Sequence, residues 1–252
     1  MSNAYIIERK KLKQWLIVLL ATFFCATFLF FQLNDTFTFS TPKGPKALYK
    51  VETEQNKVAL TFNISWGNEE VIPIIEELQR LNIQKATFFL SGVWAERHPD
   101  IVQKIVEAGF DIGNLGYEYK SYADMEEDEM VRDLMKAHHI LSDLTEQKIH
   151  LFRPPNGQFN EQVLRTVEKQ GYSTIHFSVD VKDWTPISKE EMITRATKKT
   201  TKGDIVLLHA SDSARKTAEI LSPIHEDLKQ KGLTYVTVEE LITNAKSSNK
   251  EM

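Results

Sequence analysis

The sequence predicts an α/β fold: a small, distorted or incomplete (β/α) barrel with an N-terminal transmembrane helix, an open doubly wound parallel sheet being the alternative. Three observations point there. Short strand-like runs alternate with helical periodicity through residues 58–238. At four places a lysine precedes a glycine that is followed at once by a strand-like run. A stretch without a charged side chain, residues 16–33, stands before all of them.

The N-terminal stretch reads LIVLLATFFCATFLFFQL. Eighteen helical residues span roughly 27 Å, close to the thickness of a bilayer's hydrocarbon core. Arg9, Lys10, Lys11 and Lys13 precede it and Asp35 follows. The positive-inside rule then predicts a single-pass protein with residues 1–15 as a cytoplasmic basic tail and the body on the extracytoplasmic side. A cleaved signal peptide is the competing reading, but QLNDTFTFSTP has no small-residue cleavage pattern. Residues 34–56, with Pro42, Gly44 and Pro45, read as a stalk, residues 57–244 as one domain and residues 245–252 as a tail.

Within the domain the strand-like runs are VALTF (58–62), ATFFL (86–90), FDIG (110–113), IHLF (149–152), STIHFSV (173–179), DIVLLH (204–209) and LTYVTV (233–238). Val71, Ile74, Ile75 and Leu78 follow helical i, i+3, i+4, i+7 spacing, as do Ile220, Leu221, Ile224 and Leu228. Ser188 with Glu191 forms a capping-box pattern. Pro99 after His98 marks a helix start, and the acidic run 124–129 suits a helix N-terminus. His138 and His139 read as a solvated helix face. Gly109, Gly171, Gly203 and Gly232 follow lysines, as helix ends favour.

Composition excludes several functions. The chain is 42% apolar and 26% charged, with net charge −4. Beyond residue 15, 27 basic and 34 acidic side chains leave the body at −7, which argues against nucleic acid as a partner. The only cysteine, Cys25, rules out an intrachain disulfide framework and a thiolate zinc site.

In a (β/α) fold, function collects at the carboxyl ends of the strands. Those ends carry Asn63-Ile64-Ser65-Trp66-Gly67, residues 114–119, Arg153-Pro154-Pro155-Asn156-Gly157, Asp180-Val181-Lys182-Asp183-Trp184 and His209. The order TFNISWG, IGNLGYEY, RPPNG, DVKDW, LLH resembles the polysaccharide deacetylases of the NodB-homology group, carbohydrate esterase family 4, over roughly residues 56–244. SWG, WAERHPDIV (94–102) and the single anchor are similar to the sporulation-type PdaB subgroup.

The resemblance implies removal of acetyl groups from N-acetylated sugars by a divalent metal, usually zinc, with cell-wall peptidoglycan as partner and the membrane as anchorage. It implies Arg153 orienting the base, Asp180 tuning His209, His209 as general acid, and Trp184 and Leu207 walling the acetyl pocket. Pro155, Trp66 and Tyr117 complete the expected glycan-binding set. The base position, however, is Asn63, and an amide does not accept a proton at neutral pH. Ile64, Leu115 and Tyr119 hold the three ligand positions, so no cofactor is expected. Arg153 could instead pair with another carboxylate such as Asp183, and Glu118 with His209 could offer substitute zinc ligands. The resulting expectation is a membrane-anchored deacetylase fold at spore or wall peptidoglycan with little metal-dependent hydrolysis. An atypical but working deacetylase is the alternative.

Overall fold

The computed structural model describes residues 44–250 together with Leu19, Leu20, Thr22, Ser40 and Thr41, and side chains as far as residue 244. The predicted anchor at residues 16–33 therefore lies outside the described residues except at 19, 20 and 22. No helix among the described residues is long and apolar enough to cross a membrane.

Eight strands form one parallel sheet. They are β1 (Lys57–Ile64), β2 (Thr87–Leu90), β3 (Asp111–Asn114), β4 (Leu151–Phe152), β5 (Ser173–Thr174), β6 (Val179–Asp180), β7 (Ile205–His209) and β8 (Thr234–Tyr235). The spatial order is β5-β4-β3-β2-β1-β7-β6, with β8 pairing the start of β1. Among the described residues of this domain the α-helices are α1 (Val71–Arg80), α2 (Gly92–Arg97), α3 (Pro99–Glu107), α4 (Glu127–Thr145), α5 (Glu161–Lys169), α6 (Lys189–Lys199), α7 (Thr217–Gln230) and α8 (Val238–Lys250).

The end strands decide between the two predicted architectures. β5 and β6 lie at opposite ends of the seven-strand path, yet only residues 175–178 separate them. Seven flat strands would place the ends roughly 29 Å apart, whereas five chain steps reach at most about 18 Å. The sheet must curl, and the fold is a parallel half-barrel rather than an open doubly wound sheet. The run 173–179, predicted as one strand, is thus two short strands on opposite edges, because its middle residues cross the gap between them. The stalk helps to span that gap: Leu48 bridges Ile175 and Lys50 bridges Asp204.

Side-chain alternation along β1 sorts the two layers. Val58, Leu60, Phe62 and Ile64 pack outward against α1–α7 residues such as Ile74, Ile105, Leu134, Val163, Met192 and Ile224. Ala59 points inward with Phe89, Leu115, Leu151, Ile175 and Ile205, and Val238, Leu241 and Ile242 of α8 join this inner cluster. Val238 N–H donates to Thr87 Oγ1 at 3.0 Å, so α8 plugs the amino end of the half-barrel and runs past residue 244. The carboxyl end is left for the cleft.

The predicted apolar positions of α1 and α7 are all buried. Ser188 Oγ accepts from Glu191 N–H at 3.2 Å, but Glu191 turns to Arg195, so only half of the capping box forms. His138 departs from the expected solvated face: its Nδ1 lies 2.6 Å from the Tyr172 hydroxyl, and burial lowers its pKa. Gly203 adopts φ +81°, and a Cβ there would sit 1.9 Å from Val51 O. Gly203→Ala is expected to cost about 2–4 kcal/mol, from left-handed strain plus a clash with stalk backbone. Denaturant unfolding measures this, and a cost below about 1 kcal/mol would mean the stalk does not pack on the barrel.

Candidate functional site

The carboxyl ends of the strands surround a cleft of about 410 Å³ lined by Asn63, Ser65, Trp66, Tyr119, Arg153, Pro154, Asn156, Asp180, Trp184, Leu207 and His209, among others. That volume is in the range of a small-ligand site. Trp66 and Trp184 stand on its rim, 54% and 52% exposed, offering flat apolar faces.

Asn63 and His209 are register partners on the adjacent parallel strands β1 and β7, so their backbones lie about 5 Å apart. Arg153, directly after β4, is fully buried. Its Nη1 donates to Thr61 Oγ1 at 2.9 Å and to Asn63 Oδ1 at 3.0 Å, and its Nη2 donates to the His176 carbonyl at 3.1 Å. The guanidinium carbon lies 4.1 Å from the centre of the Phe89 ring. Its Nε has no partner. No carboxylate lies within ion-pair distance among the described residues, and burial pushes the guanidinium down to about 9. The expected alternative of an Arg153–Asp183 pair is therefore not formed.

Asp183 instead belongs to His209. It is buried, its Oδ1 accepts from His209 Nδ1 at 2.8 Å, and its Oδ2 accepts from His209 N–H and Thr217 Oγ1, both at 2.7 Å. This corrects the expectation that Asp180 tunes His209. Asp180 Oδ1 accepts from Lys182 N–H at 2.9 Å, which supports the left-handed Lys182 (φ +59°) and turns the chain so that Asp183 reaches under the ring. Fixing Nδ1 as the donor leaves Nε2 for the cleft. The Trp184 ring meets His209 edge-on, with centroids 6.3 Å apart.

The three ligand positions carry no cation-binding set. Ile64 is fully buried in the outer layer and Leu115 in the inner cluster. Tyr119, in a left-handed conformation (φ +58°), lines the cleft, and burial raises the pKa of its hydroxyl, so the phenol stays neutral. Among the described residues no three His, Cys, Asp or Glu side chains converge. Glu118, the suggested substitute ligand, is exposed and paired with Lys120. These residues do not fit the divalent metal that the resemblance implies.

Tyr117 and Pro155 do not line the cleft. The Tyr117 hydroxyl donates to Glu96 Oε2 at 3.0 Å, and its ring carries Lys136 Nζ 3.5 Å from the centre. Pro155 is buried, leaving Pro154 and Asn156 to form that wall. Sequence reasoning missed Asp133 of α4, which fixes the loop after β3. It accepts from the N–H groups of Tyr117 at 2.6 Å and Glu118 at 3.2 Å, and from the Tyr122 hydroxyl at 2.7 Å.

The described domain is a parallel α/β half-barrel with an Asp–His pair, a buried arginine and a tryptophan at one cleft. Residues 50–175 match the polysaccharide deacetylase family, and the chain belongs to that family. It is 31% identical to a peptidoglycan-N-acetylglucosamine deacetylase of Bacillus cereus, over 80% of this chain and 74% of that one. It is 30% identical to the uncharacterized protein YlxY of Bacillus subtilis, over 79% of this chain but only 61% of YlxY's length. Among solved structures it resembles a wild-type CE4 family pseudoenzyme from Bacillus anthracis, with TM-score 0.74 and 31% identity over 80% of this chain and 70% of that one. A mutant of that pseudoenzyme described as having restored enzymatic activity aligns with TM-score 0.75, at 31% identity over 80% of this chain and 72% of that one.

Proposed function

We propose that this chain is a deacetylase fold that binds peptidoglycan glycan in the cell envelope without metal-dependent hydrolysis. The observation that carries this reading is the cleft floor. Asn63 presents an amide where a base must take a proton from water, and Ile64 and Leu115 offer only carbon where a cation needs lone pairs. The two rim tryptophans and the Asp183-fixed His209 support glycan contact without supplying a nucleophile. The B. cereus relative named for peptidoglycan and the B. anthracis pseudoenzyme support substrate class and inactivity respectively.

The full chain, incubated with wall peptidoglycan and zinc, cobalt or manganese, is expected to release no acetate above a heat-killed control while cosedimenting with the glycan. Release that His209→Ala abolishes would establish the second reading, an atypical deacetylase. The observation favouring that reading is the intact Thr217–Asp183–His209 chain, whose imidazole could still protonate a leaving amine.

The uncharged stretch 16–33 after a basic cluster supports anchorage with the domain outside, and the PdaB-like motifs support a role in sporulating cells. Deleting residues 1–33 is expected to move the chain from the membrane pellet to the supernatant. A deletion variant that stays in the pellet would contradict the anchor.

A further inference from the structure

We propose that Asp212, in the loop between β7 and α7, is the positioning residue that holds Trp66 out as a ready-made stacking face for a sugar ring. This inference rests on the glycan-binding reading above and deepens it. It starts from an aromatic side chain left without company. Trp66 lines the cleft yet is 54% exposed, and its indole makes no hydrogen bond or ring contact among the described residues. On a loose loop such an indole would fold down onto nearby apolar surface, because that removes the ring from water. What prevents this must act on the backbone.

The backbone is held on both sides of Trp66. Before it, Ser65 N–H donates to Ser211 Oγ at 3.0 Å. After it, the Gly67 carbonyl accepts from Trp94 Nε1 of α2 at 2.6 Å. Asp212 completes the clamp. Its Oδ1 accepts from Glu69 N–H at 2.9 Å and, more weakly, from Glu70 N–H at 3.4 Å. The N-cap residue of α1, Glu70, offers no side-chain cap, so the carboxylate of the neighbouring loop supplies one. The same carboxyl group lies over Gly67, where a Cβ would sit 2.1 Å from Asp212 Cγ. Gly67 also has φ +76°, which glycine adopts freely. A contact this close fits only a bare Cα, so Gly67 and Asp212 are specified together. Fixing the loop in the free protein removes an ordering cost that glycan binding would otherwise bear.

The test is cosedimentation of the full chain in detergent with wall peptidoglycan, reading the apparent Kd well below the melting temperature of each variant. Asp212→Ala is expected to raise Kd about five- to tenfold, as when the competent loop is populated about a tenth to a fifth of the time. Asp212→Asn keeps an acceptor oxygen for the same N–H groups and should bind within about twofold of the native chain. Trp66→Ala should weaken binding at least as much as Asp212→Ala. In the Trp66→Ala background, Asp212→Ala should then change Kd by less than about twofold, because the two residues act as one unit. A cap with a purely structural role would lower the melting temperature without this loss of additivity. Native-like binding by Asp212→Ala overturns the inference, as does a loss that persists undiminished in the Trp66→Ala background or that Asp212→Asn fails to restore. If Trp66→Ala binds as the native chain does, the stacking face is wrong and glycan binding stands. If peptidoglycan does not retain the native chain, both fall.

Discussion

Asn63→Asp is expected to stabilise the protein by about 2 kcal/mol at pH 7, raising its melting temperature by roughly 4–8 °C for a domain of this size. The native fold already bears the cost of burying Arg153 without a counter-ion. A carboxylate replacing an amide whose oxygen lies 3.0 Å from Nη1 supplies that counter-ion. Its own desolvation, at a residue 7% exposed, takes back part of the attraction, which keeps the net gain to a few kcal/mol at most. The sign follows from linkage. Arg153 holds the new carboxyl below its unfolded value of about 3.9, so the gain is fully present above that pH and is lost as pH falls through the folded value. Native and variant melting curves should therefore converge in strong acid. A variant less stable than the native chain at pH 7 would show that Arg153 is not short of a counter-ion.

Asp183→Ala is expected to cost about 3–5 kcal/mol, because it strips a buried acceptor from His209 N–H, His209 Nδ1 and the Thr217 hydroxyl together. Asp180→Ala should cost under about 1 kcal/mol, since that side chain supports one partly exposed turn. Urea unfolding of the two variants side by side reads the contrast directly. Equal costs would return Asp180 to the role that the sequence suggests for it.

That pair shows where the sequence stops being legible. DVKDW places two aspartates three residues apart after a strand, and spacing alone favours the one nearest the strand end. What reverses the choice is Lys182 at φ +59°, a single left-handed residue that no composition signals. The same limit divides the run at residues 173–179. Its β-branched and aromatic residues satisfy a strand pattern, yet Thr174 and Val179 end up on opposite edges because the sheet curls, a property of the whole and not of the segment.

Local features read well by contrast. The periodicity of Val71, Ile74, Ile75 and Leu78 marks the buried stripe of α1, because a helix has one way to hide such a stripe. Gly109, Gly171 and Gly232 take the positive φ that stops a helix. Asn63, Ile64, Leu115 and Tyr119 are legible as chemistry in the sequence, since none is the carboxylate or imidazole that the resemblance implies at its position. Arg153's isolation was not visible, because it required showing that Asp183 is committed elsewhere. Asp133 was missed for a related reason: it acts on the loop after β3 from α4, across more than a helical turn of intervening sequence.

On the proposed reading this cleft grips no catalytic cation. Elemental analysis of the full chain, purified without chelators and dialysed against excess zinc, tests it most directly. Zinc far below one equivalent per chain, unchanged in His209→Ala, is the expected result. One tightly held zinc per chain that disappears in His209→Ala would contradict it and restore metal-dependent hydrolysis as the activity of the site.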